Sequence, residues 1–96
     1  MPKLTPIRRR RIRRILNWLR TDFDIDLPDL PKGSATECPV KRALSTKYPD
    51  SFVGNVSYIV LRPGEDWGQK RYETLPPFVQ TFTEEFDSGH WPEYVA

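Results

Sequence analysis

The chain has 96 residues, 38% of them apolar and 29% charged, with 10 prolines, a single cysteine (Cys38) and a formal net charge of +2. That length suits one domain burying about two thirds of its unfolded surface, and the composition is that of a folded chain rather than a disordered one. One cysteine excludes an internal disulfide framework, and no apolar run approaches the ~20 residues of a membrane span or follows the first basic residues as in a signal peptide, so a cytoplasmic domain is expected.

The net charge conceals a division. Residues 1–20 carry Lys3, seven arginines and no acid, which gives +8; the remaining 76 carry seven bases and thirteen acids, which gives −6. A basic segment on an acidic body points to a polyanion partner, or else to a helix that docks on its own body, beginning with Asp22, Asp24, Asp26 and Asp29.

Thr5 is suited to cap a helix and Pro6 to its first position, where the missing N–H costs nothing, which predicts a helix over 6–21. Its centre reads RRRRIRRILNWLR from Arg8 to Arg20. At about 100° per residue, Ile12, Ile15, Leu16 and Leu19 share one arc, while Arg9, Arg10, Arg13, Arg14, Asn17 and Arg20 share another. One side packs and the other faces out. Arg8 and Arg9 oppose the positive end of the helix dipole, about 0.3–1 kcal/mol each when exposed, and no neighbour in the sequence compensates them.

Residues 22–36 form an extended connector, because Leu27-Pro28 and Leu30-Pro31 each push the leucine out of the helical region; Phe23, Ile25, Leu27 and Leu30 are its anchors. Ser34 or Thr36 caps a second helix that has Pro39 in its first turn, turns Val40, Ala43 and Leu44 inward and Lys41, Arg42 and Lys47 outward, and ends near Tyr48 before Pro49. A thiolate at that helix start would be stabilised. With His90 the one candidate base in the chain, however, Cys38 is read as a structural, buried cysteine.

The β-branched and aromatic run Phe52 to Arg62 reads as a central strand. Pro63-Gly64 is a turn signal, and Lys70 to Leu75 is the returning strand of a hairpin. Trp67 falls at the loop tip, either as a recognition anchor or folded back on the sheet. Two strands are marginal alone, so helices must cover them. Leu75-Pro76-Pro77 opens the last helix, whose Phe78, Val79, Phe82 and Phe86 form a core stripe and whose end is set by Gly89. Glu84, Glu85 and Asp87 crowd its negative end, where arginines of the first helix would relieve them. The tail 90–96 has no regular pattern; Trp91 and Tyr94 pack on the body or on a partner.

The expected architecture is a small α+β domain of order α-α-β-β-α. It comprises a basic amphipathic helix (1–21), a connector (22–36), a helix-hairpin-helix body (37–89) and a tail (90–96). No catalytic triad, metal-ligand spacing or nucleotide loop is present in the sequence, so neither an enzyme, a cofactor, a bound metal nor a small-molecule substrate is expected.

The segment Glu37-Cys38-Pro39-Val40-Lys41-Arg42-Ala43-Leu44, the strand around Val53-Gly54-Asn55-Val56, and Leu75-Pro76-Pro77 leading to Phe82 and Phe86-Asp87-Ser88-Gly89 resemble a class of small uncharacterised proteins of tailed phages of actinobacteria. The resemblance covers about residues 37–89 and implies a phage or prophage origin and an accessory role in the host cytoplasm. Arg8 to Arg14 followed by Trp18 also resembles the arginine-rich RNA-binding peptides of phage antitermination proteins.

The leading expectation is a binding protein whose Arg9, Arg10, Arg13, Arg14 and Arg20 contact the phosphates of DNA or RNA, with Asn17 on the same face and Trp18 stacking or inserting. Trp67 and Trp91 are further recognition candidates. A different class of reading is an inhibitor or adaptor for a host protein with an acidic surface. Insertion of the amphipathic helix at a membrane surface ranks third, since the hairpin needs the same apolar seam.

Overall fold

The structure is a computed structural model that describes residues 4–54, 56–60 and 73–96. It is a small α+β domain, with three α-helices and a three-stranded antiparallel sheet among the described residues. Helix α1 spans Pro6–Phe23, and its start is local: Thr5 is extended and its hydroxyl accepts the Arg8 amide at 3.2 Å. It runs past the expected Thr21 because Phe23 belongs to its buried seam. Asp24, at φ 56°, ends it by donating its amide to the Arg20 carbonyl at 3.1 Å. Aspartate is among the few side chains that tolerate this left-handed conformation.

Helix α2, Pro39–Ser45, departs from its expected limits at both ends. Cys38, not Ser34 or Thr36, is the cap, its sulfur accepting the Lys41 amide at 3.4 Å. Ser34 is engaged in its own turn, with backbone bonds to and from Glu37. The helix stops short of Tyr48 because the Thr46 hydroxyl donates to the Ala43 carbonyl at 2.7 Å, a local bond that competes with further helix.

The single strand expected over 52–62 is two strands. β1 (Phe52–Val53) and β2 (Ser57–Ile59) pair with Phe52 opposite Ile59 and Val53 opposite Tyr58, and β3 (Glu73–Thr74) adds on the other side of β2. The Gly54 amide donates to the Ser57 carbonyl at 2.8 Å as the chain reverses. The sequence signal was Gly54-Asn55, a hairpin dipeptide inside the β-branched run. Leu61, Arg62, the Pro63-Gly64 turn and Trp67 lie outside the described residues.

Helix α3 spans Pro77–Asp87. It closes in a Schellman motif, with Gly89 at φ 80°, its amide donating to the Phe86 carbonyl at 3.0 Å and that of His90 to the Glu85 carbonyl at 2.9 Å. The tail then forms a 3-10 turn, Pro92–Tyr94, and returns to the connector, where Gly33 and Val95 make a parallel bridge.

α1 lies between two aromatic groups. Its C-terminal half carries Trp18, whose ring meets Phe23 edge-on at 5.1 Å and Tyr58 at 5.8 Å. Its N-terminal half packs where Phe82 meets Trp91 at 5.0 Å and Phe86 at 6.4 Å. Ile15 and Leu19 lie between them, and with Val40, Ala43, Leu44, Leu75 and Val79 they are fully buried in the core.

Candidate polyanion-binding face of the first helix

Burial of Ile12, Ile15, Trp18, Leu19 and Phe23 fixes how α1 is rotated on the body. Arg9, Arg10, Arg13, Arg14, Asn17 and Arg20 are all exposed as a result. From Arg9 to Arg20 this stripe runs about 16 Å along the helix. Among the described residues, Arg9, Arg10 and Arg13 make no hydrogen bond or ion pair, and Arg20 donates only to Asn17 Oδ1, at 3.0 Å. Arg14 sits at the edge of the stripe with its guanidinium 4.2 Å from the centre of the Phe78 ring, which leaves Phe78 half-buried rather than in the core.

The arginines absent from the expected outward arc, Arg8 and Arg11, have the opposite fate. Arg8 donates to Glu93 from Nε at 3.2 Å and from Nη2 at 3.0 Å, and to the His90 carbonyl at 2.6 Å, while its plane lies 3.7 Å from the Trp91 ring centre. Arg11 pairs with Glu85, which also accepts the Trp91 indole N–H at 3.1 Å. The Arg11 hydrogen bond, with that of Trp91 behind it, holds the Glu85 carboxyl below the usual carboxylate range despite partial burial. The signal was in the sequence. At about 100° per residue Arg8 and Arg11 fall within about 40° of Ile15, on the packed arc. The dipole penalty assigned to Arg8 is compensated by Glu93 and the His90 carbonyl, which only the folded tail brings near.

Docking on the body's own acids is therefore true of two arginines and not of the outward stripe. The partners are Glu85 and Glu93; of the expected cluster after the helix, Asp24 pairs with Lys47 at 3.3 Å.

Two recognition candidates are corrected. Trp18 is 7% exposed and wedged against Phe23 and Tyr58, so it neither stacks nor inserts, and Trp91 is fully buried under Arg8. Trp18 is held by Tyr58, distant in sequence, and Trp91 by Phe82 and Tyr94 on either side of it in the chain. The seam that a membrane-surface helix would insert is likewise buried beneath the body, and no helix among the described residues is long and apolar enough to cross a membrane.

Cys38 is half-buried. Burial raises its thiol pKa above the usual value against the lowering pull of the Lys41 and Val40 amides, and Asp87 adds to the rise, so the helix start does not favour a thiolate. Among the described residues, no group of three or more His, Cys, Asp or Glu is placed to hold a metal ion.

Beside the stripe lies an open cleft of about 400 Å³ between α1 and the connector, lined by Leu4, Arg9, Ile12, Arg13, Leu16, Pro28, Asp29 and Tyr94. Tyr94 donates its hydroxyl to Asp29 at 2.8 Å. Burial, then this contact, pushes its phenol well above the usual tyrosine range, so it stays protonated. The chain matches no family model, no curated protein and no solved structure.

Proposed function

We propose that the protein is a non-catalytic nucleic-acid-binding protein that contacts backbone phosphates through Arg9, Arg10, Arg13, Arg14 and Arg20. One observation carries this reading. The fold consumes Arg8 and Arg11 on its own glutamates, yet leaves Arg9, Arg10, Arg13 and Arg20 on one exposed stripe with no acidic partner among the described residues. Unpaired like charges at this density repel one another and contribute nothing to folding, and phosphates in register along a helix would offset that cost. Guanidinium groups suit phosphate because their planar fork donates in pairs. The stripe carries little beyond Asn17 to read base edges, so sequence discrimination is low. The resemblance over residues 37–89 supports an accessory role in phage infection, in the host cytoplasm.

The test is titration of nucleic-acid-free protein with arbitrary duplex oligonucleotides across a range of salt. Affinity falls steeply with salt, and Arg10→Gln, Arg13→Gln and Arg20→Gln together reduce the log–log slope by about 2–3. An unchanged slope removes nucleic acid as the partner of this face. Capture of one acidic host protein, abolished by the same substitutions, would then make the inhibitor reading the correct one.

A further inference from the structure

The cleft beside the stripe has a composition the arginines alone do not explain. Its apolar surface comes from Leu4, Ile12 and Leu16 on one side and Pro28 on the other, while Arg9 and Arg13 stand at its rim. Those two arginines are one helical turn apart, about 6 Å along the axis, and neither is paired among the described residues. Asp29 supplies the one acceptor that is both charged and fixed. Its Oδ1 receives the Leu30 amide at 2.8 Å and the Tyr94 hydroxyl at 2.8 Å, whereas Oδ2 takes no hydrogen bond among the described residues. The site thus offers an apolar slot, two cationic groups flanking it and a held carboxylate oxygen with free capacity.

From this arrangement we propose that the cleft receives one unpaired nucleobase, with the flanking phosphates on Arg9 and Arg13, so that the protein prefers single-stranded nucleic acid to duplex. This rests on the backbone-binding reading above and narrows it to a substrate class. A planar base fits a cleft of about 400 Å³, which lies at the small end of ligand sites. In a duplex the same base is stacked and paired, and must be extruded before it can enter. The free Asp29 oxygen accepts from an exocyclic amino group, which cytosine, adenine and guanine carry and thymine and uracil lack. With Trp18 and Trp91 both buried, neither offers the stripe a stacking platform; the cleft is an apolar surface adjoining it on the connector side, whereas Phe78 on the other side is covered by Arg14.

The experiment uses the full chain and fluorescence anisotropy at one fixed salt. The probes are single-stranded oligo-dC, oligo-dT, a duplex of equal length, and an oligonucleotide of equal length whose residues are all abasic. Oligo-dC binds about tenfold more tightly than the duplex and than the abasic strand, the order expected for one base sheltered by apolar contact. Oligo-dT falls between. Leu16→Gln, which makes the slot polar without changing charge, removes the advantage of oligo-dC over the abasic strand and leaves duplex affinity as it was. Asp29→Asn brings oligo-dC and oligo-dT together. Equal binding of oligo-dC and the abasic strand by the unaltered protein, with the arginine-dependent salt slope intact, overturns the base site and leaves backbone binding standing. Absence of binding to every oligonucleotide overturns both, and an acidic peptide bound in a Leu16-dependent manner would assign the cleft to protein instead.

Discussion

Arg8 offers the sharpest separation between arginines that hold the fold and arginines that face a partner. Its side chain is 29% exposed and that of Glu93 only 12%, so removing the guanidinium leaves a largely covered carboxylate without its main partner. It also removes the bond to the His90 carbonyl and the cover over Trp91. Hydrogen bonds to charged groups contribute roughly 1.5–3 kcal/mol and a cation–π contact about 0.5–1 kcal/mol, but these overlap and solvent reaches part of the pair. Arg8→Gln is therefore expected to cost about 2 kcal/mol, about 10 °C in Tm for a chain of this size. Arg8→Lys restores the charge without the fork or the stacking plane and recovers only part of that loss. Arg10→Gln, two residues away on the exposed stripe, changes stability by no more than about 0.5 kcal/mol. Thermal melts followed by circular dichroism measure all three. Equal Tm values for Arg8→Gln and the unaltered protein, or an equal fall for Arg10→Gln, would refute this partition of the helix.

Further outcomes follow from the core and from Glu85. Phe82→Ala, at a ring 1% exposed between Trp91 and Phe86, loses about 3–5 kcal/mol, read from the urea midpoint; an unchanged midpoint would show that α3 is not core. Gly33→Ala places a methyl carbon 2.6 Å from the Glu37 carbonyl oxygen, 2.8 Å from Pro39 Cδ and 2.9 Å from Phe86 Cζ, so it costs about 1–3 kcal/mol and loosens the tail, seen as faster amide exchange at Ala96; protection equal to that of the unaltered protein would show that the close approach is not needed. Because the folded Glu85 carboxyl lies below its unfolded value of about 4.3, its stabilising contribution is complete above that pH and is lost as pH falls through the folded value. Arg11→Gln is accordingly less stable near neutrality, and its stability curve converges on that of the unaltered protein as pH falls through the lowered folded value. A constant offset between the two curves would mean that Arg11 does not set this acid response.

What the sequence by itself determined is what local chemistry decides. Thr5 and Pro6 start α1, the 3.6-residue spacing of Ile12, Ile15 and Leu19 gives its inner face, and Gly89 ends α3, because caps, periodicity and a left-handed glycine act over a few residues. The same spacing held the information that Arg8 and Arg11 lie on the packed side, although charge alone suggested otherwise. The tertiary structure decided what those faces meet. Glu93 reaches Arg8 across 85 positions of chain and Glu85 reaches Arg11 across 74, and no pattern within α1 encodes either partner. Trp18 and Trp91 carry the same signature in sequence whether they face solvent or the core. The burial of Trp18 follows from Tyr58, 40 positions along the chain, and that of Trp91 from Phe82 and Tyr94 once the tail folds back over Arg8, which no local pattern announces. The cleft, too, exists only because the connector carrying Pro28 and Asp29 and the tail carrying Tyr94 close around one flank of α1, and the assembly of three separated segments is invisible to any local reading of the chain.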